Sequence, residues 1–201
     1  MNSTQKMISQ NRSGFNAAKA AAWLERKGWK REIAGDADFE KAVKAMVEIE
    51  SQPKKSLLLM GAVGVGKSSL AQIVFDAVQG DKTKIDCANT AEVDFLVPEA
   101  DAARNNGVYS SGAHELLGRS VWLDDIGAEG VLKNFGNDLD RVGNFIVRYH
   151  TTGKRRLILT TNLDGKMITA KYGARVFDRL LDMCVIVKFE GKSKRDRAII
   201  D

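Results

Sequence analysis

The chain has 201 residues, 44% of them hydrophobic and 28% charged, and these fractions exclude a largely disordered or fibrous protein. Lysines and arginines number 31 against 26 aspartates and glutamates, so the net charge of +5 permits an anionic partner without requiring one. No apolar run is long enough to span a bilayer and the polar start lacks a secretory signal, so we expect a cytoplasmic protein with no membrane association.

The first 54 residues are predicted to form a helical extension. Apolar spacing indicates one helix from Phe15 to Gly28 and a second from Phe39 to Glu50. Positive charge is concentrated between residues 12 and 31, where six basic residues and three aromatic ones surround a single acid: Arg12, Lys19, Arg26, Lys27, Lys30 and Arg31, with Phe15, Trp23 and Trp29. This segment could bind single-stranded DNA or a partner protein, or it could pack its aromatic side chains on the rest of the chain.

The pattern changes at Ser56–Met60, a continuous apolar run that is typical of a strand buried on both faces. The segment Gly61–Ser68 reads GAVGVGKS and matches G-x-x-x-x-G-K-[ST] between this strand and an amphipathic helix over 67–79. Backbone N–H groups of such a loop bind phosphate oxygens, the lysine reaches the β- and γ-phosphates, and the hydroxyl ligates Mg²⁺. We therefore assign a nucleoside triphosphate to Gly61, Gly64, Val65, Gly66, Lys67, Ser68 and Ser69.

Strands and helices then alternate to the end of the chain, which predicts an α/β fold with helices on both faces of a parallel sheet. Including the first strand, five strands are predicted, at 56–60, 83–87, 121–124, 156–160 and 183–187, and a helix at 139–149. Residues 89–118 are predicted to be a mostly helical connection with a turn at 104–107.

The third predicted strand ends in two acids, Asp124 and Asp125, at the sheet edge where α/β proteins bind ligands. Asp124 is a candidate for holding Mg²⁺ through water, and Asp125 for orienting the water that attacks the γ-phosphate. The alternative is that the pair caps a turn or a helix.

Asn162 follows the fourth predicted strand, at the same edge of the sheet. Its amide could hydrogen-bond the attacking water and the γ-phosphate, which would make the site sensitive to the bound nucleotide. The alternative is that Asn162 caps the helix near Met167.

Few residues offer other chemistry. Cys87 and Cys184 lie far apart without CxxC spacing, and two histidines are too few for a metal cluster. We therefore expect free thiols in the core and no zinc site.

Four segments together resemble the AAA+ ATPases, and within them the DnaC-like helicase loaders and the related IstB-like transposition ATPases. These segments are GAVGVGKS at 61–68, VWLDDIGAE at 121–129, LILTTNL at 157–163 and YGARVFDRL at 172–180. The resemblance covers residues 55 to about 197 and implies a P-loop NTPase domain at 55–201, preceded by the extension at 1–54. Because the chain stops at Asp201, we expect no C-terminal lid.

The resemblance also implies roles for three arginines. Arg179 matches the family's arginine finger, which contacts ATP bound to a neighbouring subunit and thereby requires a homo-oligomer. Arg175, one turn earlier on the same helix face, is also assigned to binding the nucleotide phosphates. Arg195, in Ser193-Lys194-Arg195, matches a second nucleotide sensor. Spacing alone favours a surface pair of Arg179 with Asp178 or Asp182, and it is the resemblance that favours the arginine finger.

The predicted function is that of an ATP-binding and ATP-hydrolysing protein with ATP and Mg²⁺ as cofactors. By the resemblance it binds single-stranded DNA and delivers a replicative DNA helicase, with slow hydrolysis that depends on the oligomer or on DNA. Three alternatives remain: a transposition ATPase that assists a transposase, an ATP-gated adaptor, and a small P-loop kinase.

Overall fold

A computed structural model gives the fold, and it describes residues 15–52, 54–96, 112–130, 132–134, 137–191 and 193. Three helices come first: α1 (Ala17–Arg26), α2 (Arg31–Ala34) and α3 (Asp36–Ser51). Asn16 caps α1 by accepting a hydrogen bond from the Lys19 N–H, as expected for a short polar side chain at this position. The two long helices agree with the prediction.

Five parallel strands form the central sheet: β1 (Ser56–Met60), β2 (Lys82–Asp86), β3 (Ser120–Ile126), β6 (Leu157–Thr161) and β7 (Cys184–Lys188). Their order is β2-β3-β6-β1-β7, so the phosphate-loop strand β1 lies between β6 and β7. Every residue of β1 and of β6 is buried, which explains their continuous apolar sequences. The predicted five-stranded parallel sheet flanked by helices is confirmed.

The connections supply the remaining described elements. These are α4 (Lys67–Ala77), α5 (Thr90–Val93), a 3₁₀ turn (Asp94–Leu96), α6 (Gly112–Leu116), α7 (Arg141–Thr152), α8 (Gly165–Tyr172) and α9 (Ala174–Met183). The sequence did not predict the antiparallel pair β4 (Leu132–Asn134) and β5 (Asn137–Leu139), because three-residue strands are too short to show a period. The turn predicted at 104–107 lies outside the described residues.

Two apolar clusters fill the two faces of the sheet. On one face, side chains of α1 and α3 pack with residues of β1, α4 and β7; Leu24, Phe39 and Leu57 are completely buried there. On the other face, α7, α8 and α9 pack against β1, β3 and β6, with Phe145 and Leu180 in the centre. The amino-terminal helices therefore share one apolar core with the sheet.

Contacts at the end of β7 add a polar connection to this packing. The buried carboxylate of Asp38 accepts hydrogen bonds from the backbone N–H groups of Glu190 and Gly191, and Lys41 donates to the Lys188 carbonyl at 2.9 Å. These bonds satisfy a buried charge, which would otherwise destabilise the fold. They tie α3 to the segment that follows the last strand.

Candidate functional site

The loop between β1 and α4 has the close turns that its glycines predict. Gly66 caps α4 with φ +97°, in the left-handed region that favours glycine. A Cβ on Gly61 would lie 2.7 Å from the Phe189 carbonyl oxygen, and one on Gly64 would overlap the Ser193 hydroxyl. Side chains are thus excluded from both positions, and residue 193 lies against the loop.

Lys67, the first residue of α4, turns its ammonium group back into this loop. Its Nζ donates to the carbonyls of Gly61 at 2.9 Å and Ala62 at 2.8 Å, and to Asn162 Oδ1 at 2.7 Å. The residue is only 5% exposed. The structure therefore brings the loop lysine and the predicted sensor asparagine into direct contact.

Asp124 forms the second contact between predicted site residues. Its Oδ1 accepts from Ser68 Oγ at 3.0 Å and from Thr160 Oγ1 at 2.6 Å. Its Oδ2 lies 2.9 Å from the ammonium of Lys84 on β2. Both carboxylate oxygens thus have donors, and the three strands β2, β3 and β6 together fix the side chain.

Asp125 adopts an unusual backbone conformation, with φ +56°. The pairing of β3 with β6 is irregular between Leu123 and Ile126, and the Asp125 N–H donates to Thr160 Oγ1 at 2.8 Å. A regular strand would point consecutive side chains to opposite faces, and this irregularity allows both acids to serve the same edge. Left-handed conformations of residues other than glycine are concentrated at functional sites.

A cavity of about 470 Å³ lies between these elements. Loop residues form its floor, Asp125 and Asn162 line its inner end, and Gly28, Trp29 and Ile33 form a wall from the amino-terminal helices. No pattern in the sequence predicts this wall, because residues 28–33 carry no nucleotide motif and lie about 35 residues before the phosphate loop. The half-exposed side chains of Ile33 and Val63 provide part of the apolar surface of this cavity, beside the polar residues of the loop.

Ser68, which lines this cavity, and Asp124, which contacts Ser68, together fit a magnesium ion. Ser68 Oγ and Asp124 Oδ1 are hard oxygen ligands 3.0 Å apart, and Mg²⁺ in nucleotide sites takes few protein ligands and fills the rest with water and phosphate. Within the described residues no cluster of three or more His, Cys, Asp and Glu side chains could hold a metal. The fit is therefore to a nucleotide-bound ion rather than to a metal centre built by the protein alone.

Neither Arg175 nor Arg179 lines this cavity in the single chain. Arg175 is exposed near the start of α9, and Arg179 lies one turn later with its Nη1 3.4 Å from Asp178 Oδ2. This pair of Arg179 with Asp178 is the surface ion pair that the sequence spacing offered as the alternative to an arginine finger. Arg195 lies outside the described residues, so the structure tests neither its predicted role nor the expectation of no lid.

The helix-cap alternative for Asn162 is wrong. Asp164 caps α8, accepting from the Met167 N–H at 2.8 Å, while Asn162 faces Lys67. Asn162 therefore does not cap α8.

The basic amino-terminal segment presents charge to solvent, buries Trp29 and packs the partly exposed Phe15 and Trp23 against the core. Lys19, Arg26, Lys27 and Lys30 are exposed, and Arg12 lies outside the described residues. Trp29 is 4% exposed, with its ring centroid 6.0 Å from that of Phe189. Trp29 is therefore unavailable to stack on a base. At this residue the alternative is correct, since the side chain packs on the rest of the chain.

A polar group behind the site went unnoticed in the sequence. Glu129 accepts hydrogen bonds from Tyr172 Oη and from the Gly127 N–H, and Lys171 donates to the Gly127 and Glu129 carbonyls at 3.1 Å. Burial, and secondarily Glu129, raises the pKa of the Tyr172 phenol, so its proton stays in place to be donated. This group connects the loop after β3 to α8.

Both cysteines are buried and free, as predicted. Burial raises the pKa of both thiols, and at Cys87 the nearby Glu129 raises it further. Neither thiol is therefore activated as a nucleophile. In the described part of the chain, the helices are too short or too polar to cross a membrane.

The chain matches one protein family and is similar in fold to solved structures. Residues 13–200 match the family model described as IstB-like ATP binding protein, whereas curated protein sequences provide no match. The crystal structure of the DnaC helicase loader is similar, with a TM-score of 0.53 at 17% identity, over 76% of this chain and 90% of the other. The Aeropyrum pernix Orc1 protein in complex with DNA is also similar, with a TM-score of 0.51 at 16% identity, over 78% of this chain and 45% of the other. At these identities the structural likeness concerns the fold alone.

Proposed function

The chain belongs to the family of IstB-like ATP binding proteins, and from this membership we propose that it is an oligomeric AAA+ ATPase. It binds ATP with Mg²⁺, hydrolyses ATP to ADP and phosphate, and places a replicative helicase on single-stranded DNA. The observation that carries the proposal is the meeting of three distant motifs at one cavity: Lys67 with Asn162, and Ser68 with Asp124.

The residues divide the work of phosphoryl transfer to water. The loop N–H groups and Lys67 hold the phosphates, and Lys67 exchanges its present carbonyl partners for the β- and γ-oxygens. Ser68 and Asp124 would hold a Mg²⁺ ion, whose charge would offset that of the β- and γ-oxygens. Asp125 orients the attacking water, and Asn162 connects that water with the γ-phosphate.

The remaining arginines complete the site in the assembly. Arg179 reaches ATP on the adjacent subunit and offsets charge in the transition state, with Arg175 on the same helix face. Arg195 contacts the nucleotide from the segment after β7, a role supported by the contact of the neighbouring Ser193 with Gly64. Since hydrolysis needs a second subunit, we expect turnover to be slow in the monomer.

The test of nucleotide binding is Lys67→Ala. We expect it to lower the affinity for a fluorescent ATP analogue by at least tenfold, because it removes the cation that holds the phosphates. Lys44→Ala, which changes an exposed lysine on α3, is the matched control and should bind as wild type. Unchanged affinity in Lys67→Ala would contradict the assignment of the phosphate loop.

The client protein needs a separate test, because a transposase is the alternative and the family match to IstB-like proteins favours it. We expect pull-down of the intact wild-type protein with ATP to recover the replicative helicase of the host, and Lys67→Ala to recover much less. Recovery of a transposase in its place would favour the alternative. The helicase is the first choice because the four sequence segments resemble the DnaC-like loaders; the likeness to the DnaC structure adds that the fold is shared.

A further inference from the structure

Lys84 is a charged residue of the site that neither the motifs nor the family resemblance singled out. It lies on the edge strand β2, directly opposite Trp122 of β3 in the parallel register. Its ammonium is 3.9 Å from the Trp122 ring centroid and 2.9 Å from Asp124 Oδ2. The Lys84 ammonium thus lies over the Trp122 ring and also contacts Asp124, two residues after Trp122 on β3.

Asp124 needs such a cation when no metal is present. Its side chain is 14% exposed, and the hydroxyls of Ser68 and Thr160 donate only to Oδ1. A carboxylate removed from most of its water is stabilised by a neighbouring positive charge. Lys84 supplies that charge at Oδ2.

We infer that Lys84 acts as a stand-in cation for Mg²⁺: it holds Asp124 in place without the metal and competes with the metal for that carboxylate. The inference rests on the proposed nucleotide site and deepens it, because it makes Lys84 the residue that sets the magnesium dependence of ATP binding. Lys84 is a positioning residue in this account, since it acts through Asp124.

The direction of the effect follows from charge alone. Without Mg²⁺, the Lys84 charge offsets that of Asp124, which would otherwise repel the phosphates of ATP. With Mg²⁺, the same charge disfavours the metal beside Asp124. Removal of Lys84 should therefore weaken ATP binding in the absence of Mg²⁺. It should also increase the factor by which Mg²⁺ raises the affinity for ATP.

The chain offers a matched control on the same strand. Lys82 lies two residues before Lys84, with its ammonium 5.2 Å from the Phe75 ring centroid and 3.1 Å from the Phe75 carbonyl oxygen. Lys82→Met and Lys84→Met remove the same charge and keep an apolar stem over an aromatic ring. Only Lys84→Met removes the contact with Asp124.

The experiment measures the affinity for a fluorescent ATP analogue in EDTA and across a Mg²⁺ titration. For Lys84→Met we expect affinity in EDTA to fall about threefold to tenfold, because the Lys84 side chain is 42% exposed and its charge is partly screened by solvent. The Mg²⁺ concentration at half-maximal binding should fall by a similar factor. Lys82→Met and the charge-conserving Lys84→Arg should follow the wild type in both measurements.

Other results would overturn either the stand-in role of Lys84 or the proposed function. Equal behaviour of Lys84→Met and Lys82→Met, or equal loss of affinity with and without Mg²⁺, would overturn the stand-in role. A Lys84→Arg variant that behaves as Lys84→Met would overturn it too, because charge would then not be the cause. Absence of nucleotide binding by the wild type would instead overturn the proposed function itself.

Discussion

At the scale of single residues, Asp125 combines a backbone cost with a position at the inner end of the cavity. Its φ of +56° is a conformation that a side chain with a Cβ disfavours by roughly 1 kcal/mol. The bond from its N–H to Thr160 and the irregular pairing of β3 hold it there. The conformation of Asp125 thus lowers the free energy of unfolding at a residue whose proposed role is to orient water.

Asp125→Gly should therefore separate stability from function. We expect the free energy of unfolding to rise by up to about 1 kcal/mol, because glycine adopts this φ without a steric penalty. Turnover should fall at least a hundredfold, because the carboxylate is gone. Thermal unfolding and phosphate release measure the two effects.

Asp125→Asn is the control for this comparison. Asparagine tolerates the left-handed region, so its unfolding temperature should stay close to that of wild type while turnover falls. Normal turnover in either variant would remove Asp125 from the proposed chemistry.

At the scale of elements, α9 presents its two arginines away from the cavity of its own chain. Its buried side, which includes Val176 and Leu180, packs into the sheet, and Arg175 and Arg179 fall on the other side. An arginine displayed in this way can serve a neighbouring molecule, which is why a second subunit enters the proposed function. The same geometry also permits a simple surface pair with Asp178.

Arg179→Ala distinguishes these two roles when it is mixed with another variant. We expect Arg179→Ala alone to bind ATP normally and to lose at least tenfold in turnover, because its neighbour lacks the finger. A mixture with Lys67→Ala should recover part of the turnover, since Lys67→Ala subunits supply Arg179 to intact phosphate loops. Phosphate release from the two pure variants and from the mixture measures this.

Arg119 provides the matched control, because it forms a comparable surface pair with Glu115 at 3.2 Å. Arg119→Ala should leave turnover unchanged. If the mixture of Arg179→Ala and Lys67→Ala shows only the sum of the two residual activities, Arg179 does not act across an interface.

At the scale of the whole molecule, the amino-terminal helices and the sheet share one core. Phe39 and Leu24 are fully buried together with Leu57 of β1 and Val187 of β7, and Trp29 and Ile33 line the nucleotide cavity. The division into an extension at 1–54 and an ATPase domain at 55–201 stays a prediction. The shared core leads us to expect that the two parts unfold together.

Phe39→Ala tests this expectation. We expect the free energy of unfolding to fall by about 3–5 kcal/mol in one transition, because a large buried side chain is replaced by a cavity. Amide hydrogen exchange in α3 and in β1 should accelerate by the same factor. Leu181→Ala, at a half-exposed position on α9, should change stability by less than about 1 kcal/mol.

Two separate transitions, with α3 exchanging before β1, would contradict a common core. That result would favour an independently folded extension, as the division at residue 54 implies. Coincident transitions would show that the amino-terminal helices and the sheet with the phosphate loop unfold as one cooperative unit.

The sequence by itself determined the phosphate loop, the five parallel strands and the family. Each of these depends on local signals: glycine spacing that permits close turns around phosphate, and apolar runs that require burial on both faces. It also placed Asp124, Asp125 and Asn162 at one edge, because parallel strands with helical crossovers end on the same side. These inferences need no knowledge of which strands are neighbours.

Only the tertiary structure decided which side chains meet across that edge. Lys84 reaches Asp124 because β2 pairs with β3, and Trp29 closes the cavity because α1 to α3 pack beside the phosphate loop. It also decided that Trp29 is buried rather than available for DNA, and that Asp164 rather than Asn162 caps α8. The physical reason is that long-range packing and side-chain pairing depend on segments far apart in the chain, and no local pattern records them.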